Sequence, residues 1–471
     1  MSFYWGDSFA AENQKKIKQM KRKPIYLFAL LSVSFLVIVN ACKKDDDDQP
    51  TPEPSEYTIT DNGSGTGTVT WKSGKVYILD GLVFVNDGQV LTIEAGTVIK
   101  GKPGQGESAS ALIVARGGKI MAEGTADHPI IFTSEGDDLS GSVSVTDRGL
   151  WGGLIILGKA KLNSSPGETA IEGIPTTETR GLYGGNDDTD NSGVLHYVSI
   201  RHGGTDIGEG NEINGLTLGG VGSGTVIEYV EVVANKDDGV EFFGGMPRLK
   251  HILVSYCGDD SFDYDEGYRG YGQFWCAIQD PLEGDRIGEH DGGTDPETAQ
   301  PYAIPYIYNA TYIGRGSGAG SRVLTLRDNA GGHYAWSIFV NQDKGVDIEM
   351  TPDNQNTYAQ FKNGNLSLKN NLFSGVADGT AEGIFKVSFL AGSSANPDSA
   401  TAVQEFTAKF SEWTNLVQDP GVSAQNPVPT NASAGTTTVP DPWFEQVSWY
   451  GAFEPGVVSW AEGWTLTFEA N

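Results

Sequence analysis

The sequence is short of cysteine, of positive charge and of helical pattern. Three cysteines in 471 residues cannot build a disulfide scaffold. No CxxC pair, HExxH, GxSxG or Walker loop occurs, so zinc, serine-hydrolase and nucleotide chemistry have no motif to rest on. Only 32 Lys and Arg stand against 61 Asp and Glu, a formal charge of −29. Nucleic acid and anionic membrane surfaces would be repelled, which leaves cations and neutral or basic ligands. Helical periodicity is missing from almost the whole chain, which excludes a bundle. What abounds is glycine, 63 residues, with Asn, Asp, Ser and Thr between short apolar runs. That texture predicts an all-β chain of short strands and tight turns.

The single long apolar run lies near the start. Met20-Lys21-Arg22-Lys23 forms a basic region and Ile25 to Val39 an apolar one. Val39-Asn40-Ala41-Cys42 then ends on a small residue before cysteine. This order resembles a lipoprotein signal peptide over 20–41 with Cys42 as the lipidated residue, Asn40 departing from the usual pattern. Residues 1–19 read as an over-extended start. A run of about 15 residues is short of the ~20 that a membrane span needs. Residues 1–41 carry six basic and two acidic side chains, so the processed chain has −29 less +4, or −33. Residues 42–56, KKDDDDQPTPEPSE after the cysteine, have almost no apolar content and three prolines and read as a solvated tether. The Cys-Lys-Lys-Asp-Asp-Asp-Asp start resembles the acidic export signal of Bacteroidota lipoproteins. That resemblance implies a lipid-anchored protein at the cell-surface side of the outer membrane.

Beyond residue 57 the chain repeats. LTIEAGTVI (Leu91 to Ile99) and LIVARGGKI (Leu112 to Ile120) match at a spacing of 21, and VIEYVEV (Val226 to Val232) and RLKHILV (Arg248 to Val254) at 22. LHYVSI (Leu195 to Ile200), IYNATYIG, AWSIFV and LSLKNNLFSG share the texture. Periods of 20 to 25 without helix predict a solenoid over 57–390 in which each turn stacks on the next at about 4.8 Å. Strand twist and crossover chirality make it a right-handed parallel β-helix. The segments NDDTDNSGVLHYVSIRHGG, NGLTLGGVGSGT, DDGVEFFGG, DDSFDYDEGYRGYGQF and LRDNAGG, with the ending WYGAFEPGVVSWAEGWT, resemble a family of Bacteroidota surface lipoproteins. The resemblance implies a β-helix and supplies no activity.

Residues 391–471 differ. Val403, Phe406, Phe410, Trp413 and Val417 fall at helical steps. A linker (Gln425 to Pro442) and a segment with Trp443, Trp449, Trp460 and Trp464 follow. They read as a cap or flank on the solenoid, the sharper alternative being an aromatic glycan-binding module.

The chemistry-bearing residues are acidic. Val240, Phe242, Phe262 and Tyr264 should point inward, so Glu241, Asp263 and Asp265 face out. Stacking then sets Glu241 beside Asp263, and Asp237 and Asp238 near Asp259 and Asp260. Three readings stay open: Asp238 and Asp260 cap turn amides; the stack binds Ca²⁺; or two acids act as acid and base of a glycoside hydrolase. Gly258-Asp259-Asp260 resembles the double aspartate of β-helical polygalacturonases, but that family's histidine and Arg-Ile-Lys motifs are missing and its catalysis is not carried over. Asp188, Asp190 and Ser192 begin like an EF-hand loop, yet Ser199 stands where the bidentate glutamate belongs, leaving an Asp-rich turn with or without Ca²⁺. RIGEHDGGTD, read as a surface insertion, offers Arg286 or His290 to a polysaccharide lyase, or only salt bridges. Arg201-His202-Gly203-Gly204 reads as a strand end and turn. Cys257 and Cys276 either pair or remain two buried thiols. The reading adopted is a noncatalytic binding or structural protein that presents an acidic, Ca²⁺-associated face to a glycan or a surface protein. A lyase or glycoside hydrolase is the alternative.

Overall fold

The computed structural model describes residues 55–208, 211–293, 296–351, 356–390 and 398–469. The signal peptide, Cys42 and nearly all of the tether lie outside the described residues. None of the described helices is long and apolar enough to cross a membrane.

The repeats form a parallel β-helix. Ten strands stack in one sheet, from Leu82–Val85 to Phe385–Phe389. Eighteen more form a second, bent sheet. The bend is visible in the strand Gly193–Arg201, which pairs with Lys119–Glu123 through its first half and with Ile130–Ser134 through its second. At the corner stands Tyr197 with φ 49°, and Tyr229, His251 and Phe274 hold the same left-handed conformation in the next three turns. One left-handed residue redirects the strand and resets its in-out alternation. Leu195 is therefore buried before the corner and Val198 and Ile200 after it. A continuous core of Val, Leu, Ile and stacked aromatics fills the interior, with Phe262, Trp275, Phe242 and Tyr268 in ring-to-ring contact.

Rung partners follow the expected register in the middle of the chain: Val226 lies beside Arg248, and Leu195 beside Ile227. The first repeat is corrected. Leu91 neighbours Ile120, and Leu112 neighbours Val83 and Leu154, so Leu91 and Leu112 sit on different sheets and the two segments are offset by one strand. Each turn contains more than one apolar strand ending in glycine, and two strands of one family resemblance need not be the same strand of successive turns.

The turns continue past residue 390, since Leu416–Val417 pairs with Leu372–Val376. Between them the helix Ser399–Glu412 lays Phe406 and Phe410 on Phe385 and covers the last turn. Val403, expected on its apolar face, is exposed, as is Val417. The tryptophan-rich segment is a strap along the outside of the bent sheet. Glu445 and Gln273 exchange hydrogen bonds, Ala452 N donates to Thr311 Oγ1, and Trp460 and Trp464 sit edge-on against the corner aromatics Tyr229, His251 and Tyr197. Its end is fixed by Glu231, a wholly buried carboxylate that accepts from Leu466 N at 2.9 Å, Thr467 N at 2.8 Å and the Thr467 hydroxyl at 2.7 Å.

Candidate functional site

The outward side chains of the ten-stranded sheet form one column, a residue per turn. It begins with Phe84, Ile113 and Ile155, passes through Thr217, Glu241, Asp263, Glu289, Thr325 and Asp347, and ends at Lys386. The apolar start is roofed by the segment carrying Leu162, Ile171, Ile174 and Tyr183. The acidic middle is the candidate site. Glu241 and Asp263 were expected to be solvated; Glu241 is instead only 8 % exposed. The reason is that same roof: Asn214 Nδ2 donates to both Glu172 Oε1, at 3.1 Å, and Glu241, bringing Glu172 down onto the sheet within hydrogen-bond reach of Glu241.

One side of this column is a ladder of turn residues. Asn214 Oδ1 accepts from Asp238 N at 3.3 Å, Asp238 Oδ1 from Asp260 N at 2.9 Å, and Asp260 Oδ1 from Arg286 N. Each side chain satisfies the amide of the next turn, which a strand end buried in a solenoid requires. The doubled aspartates are thus one structural position visited twice, with Asn214 as an uncharged earlier visit. Asp237 and Asp259 stand just outside them.

Stacking acids in this way concentrates charge. Carboxylate oxygens lie within 4.8 Å of one another in four interlocking groups: Asp237, Asp238 and Asp259; Asp238, Glu241 and Asp263; Asp259, Asp260 and Asp285; Asp260, Asp263 and Glu289. Burial, reinforced by neighbouring carboxylates, pushes Asp238, Glu241, Asp260 and Asp263 well above the usual range, and Asp237 up to about 7. Counter-charge gathers mostly at one end; Lys236 beside Asp237 at the other is paired with Glu212. Arg286 reaches Asp285 at 2.6 Å, Glu289 at 3.3 Å and Asp260 at 3.8 Å, and Arg327 pairs with Glu289 and Asp291. At the centre, Asp263 Oδ1 is buried with no hydrogen-bond partner among the described residues. An orphaned carboxylate oxygen amid carboxylates fits a hard divalent cation, which takes six to eight oxygens and would occupy the space between the groups.

Other expected residues are placed elsewhere. His290 is no surface base: Gly288–Asp291 is a strand of the ten-stranded sheet, not an insertion, and the ring points into the core. It stacks on Tyr264 at 3.9 Å and meets the Tyr334 hydroxyl at 2.6 Å through Nε2, and burial holds its pKa at about 3. Asp188 is taken by Arg269 at 3.2 Å and by the Lys161 amide, which hold it below its usual value against the upward push of burial. Asp190 lies against the Ser192 hydroxyl at 3.3 Å, and neither Asp188 nor Asp190 joins an oxygen cluster among the described residues. Cys257 and Cys276 are free buried thiols facing different apolar clusters, so the pairing is replaced by two separate core residues. Sequence reasoning missed Glu172 and Asp285 and left Glu289 in a loop. The alternation of Glu289 and Asp291 around His290 was the signal for a strand.

Among known proteins, a family model described as a pectate-lyase-like β-helix domain matches residues 63–418. No curated protein and no solved structure matches the chain. Those residues span every rung of the acidic column and most of the turns that build it, and the chain belongs to the pectate-lyase-like β-helix domain family.

Proposed function

We propose that this is a lipid-anchored β-helix of the outer membrane surface that binds polysaccharide along its ten-stranded sheet, using Ca²⁺ held by the acidic column. The observation that carries the reading is Asp263 Oδ1, a buried oxygen without a partner among the described residues, at the meeting point of Asp238, Glu241, Asp260 and Glu289. Those residues, with Asp237 and Asp259 at the rim, would hold the ion. Bound there it would neutralise the acids and offer open coordination positions to sugar hydroxyls or carboxylates. The chain's own part is to keep the carboxylates fixed on stacked strands and to present Arg286 and Arg327 beside them. The lipid anchor at Cys42 and the surface location rest on the signal-peptide pattern and the acidic tether. A surface protein is the other partner compatible with the charge; nucleic acid and nucleotide are not.

A catalytic reading has one observation in its favour. Burial raises the proton affinity of Glu172 and Glu241, as the acid of a hydrolase needs, its partner then being a carboxylate of the column farther off, since glycosidase pairs stand roughly 5–9.5 Å apart. Incubating the purified protein with a polysaccharide panel, with and without chelator, separates the two. Calcium-dependent retention with no new reducing ends or unsaturated uronates supports binding alone. Turnover lost in Glu241→Gln supports the enzyme, and no retention of any polysaccharide with calcium present overturns both.

A further inference from the structure

The bent sheet carries a second feature unrelated to the acidic column. Arg201 ends the strand Gly193–Arg201, and its side chain is 5 % exposed. Its Nε donates to Ser199 Oγ at 2.8 Å. The two terminal nitrogens meet no acceptor, and no carboxylate comes within ion-pair distance of the guanidinium, among the described residues. The nearby acids are already engaged. Asp137 accepts from the Thr133 hydroxyl at 2.7 Å and Leu139 N at 2.8 Å. Glu231 takes the Ser199 hydroxyl as well as the strap's amides. The residue is buried but its terminal nitrogens face a cavity, where a counter-charge could take up the unused donors.

The free face of Arg201 opens into a cavity of about 220 Å³ walled by His202, Leu139, Val143 and Leu466. We propose that this cavity is an oxyanion site in which Arg201 binds a carboxylate, sulfate or phosphate group. The guanidinium fork matches two oxygens of such a group, and the partly apolar wall made by Leu139, Val143 and Leu466 strengthens the pairing over one in open water. At about 30 Å³ for a water's share of liquid volume, the space holds roughly seven waters, enough for the anionic group and part of the molecule carrying it. It therefore suits either a free inorganic ion or the charged substituent of an acidic sugar. Asp137 and Glu469 also line the cavity and oppose an anion, which keeps the affinity moderate. Glu469 is exposed and makes its contribution by charge alone.

Titration calorimetry on the full chain tests this with sodium sulfate, sodium phosphate, glucuronate and N-acetylglucosamine 6-sulfate, each against sodium chloride at equal ionic strength. One-site binding is expected, at least tenfold weaker in Arg201→Gln and several-fold tighter in Glu469→Gln. A sugar sulfate that binds more tightly than sulfate identifies a glycan substituent, and equal affinities identify the free ion; either supports the site. No saturable binding by any oxyanion, or undiminished binding by Arg201→Gln, overturns it. Should Arg201→Gln fail to fold, an affinity unchanged in Glu469→Gln overturns it instead. Neither outcome depends on calcium or on the acidic column.

Discussion

Asp237→Asn should stabilise the protein in chelator and weaken it in calcium. Burial first, then Glu172, Glu212 and Asp259, raise the Asp237 carboxyl from its usual 3.8 to about 7. An acid with a raised folded pKa binds more protons folded than unfolded, so stability is full below pH 3.8 and declines as pH rises towards 7. At about 1.36 kcal/mol per pH unit the loss reaches roughly 4 kcal/mol at pH 7 and above. The substitution removes that loss, and among the described residues the side chain makes no hydrogen bond that would be sacrificed with it. In EDTA at pH 8 the variant should therefore exceed the native protein by up to about 4 kcal/mol, and at pH 4 the two should coincide. Saturating calcium should reverse the order, because the native protein gains a ligand-dependent term that the variant has partly lost. Urea unfolding followed by tryptophan fluorescence at both pH values, with EDTA or calcium, reads all four cases. A variant less stable than the native protein at pH 8 in EDTA would refute the electrostatic reasoning. Equal stabilisation of both proteins by calcium would remove Asp237 from the cation's neighbourhood.

Four further outcomes follow from the structure. Asp238→Asn should keep the ladder, as Asn214 does one turn earlier, whereas Asp238→Ala leaves the Asp260 amide unpaired at about 1–3 kcal/mol; thermal melts of the two variants at pH 5 distinguish them. His290→Ala should lower stability by on the order of 3 kcal/mol, from a lost ring stack and an orphaned Tyr334 hydroxyl, while glycan retention by the folded fraction is unchanged. Glu231→Ala should release the strap, exposing 443–469 to limited proteolysis at concentrations that leave the native protein intact. Cys257, whose thiol burial lifts to about 12, should remain unlabelled by a thiol reagent until the chain is unfolded, and Cys276 with it.

The amino-acid sequence by itself determined the class of fold, because period-2 alternation before glycine turns and recurrence near 22 residues admit little besides stacked parallel strands. It also determined that Glu241 neighbours Asp263 and Asp238 neighbours Asp260, since no insertion interrupts those turns. Only the tertiary structure decided what joins them. Asp263 and Glu289 are separated by a longer excursion, and Glu172 arrives from a roof segment whose path the repeat does not encode. The burial of the acids follows from that roof, and with it the raised proton affinity on which the site's chemistry depends. His290 shows the same limit in reverse: a histidine between two acids reads as exposed chemistry until strand pairing sets its parity and turns the ring into the core. In a solenoid, local pattern fixes which residues point inward within a strand, whereas corners and insertions fix which strands become neighbours. Those are long-range pairings, and the sequence spacing leaves them unsettled.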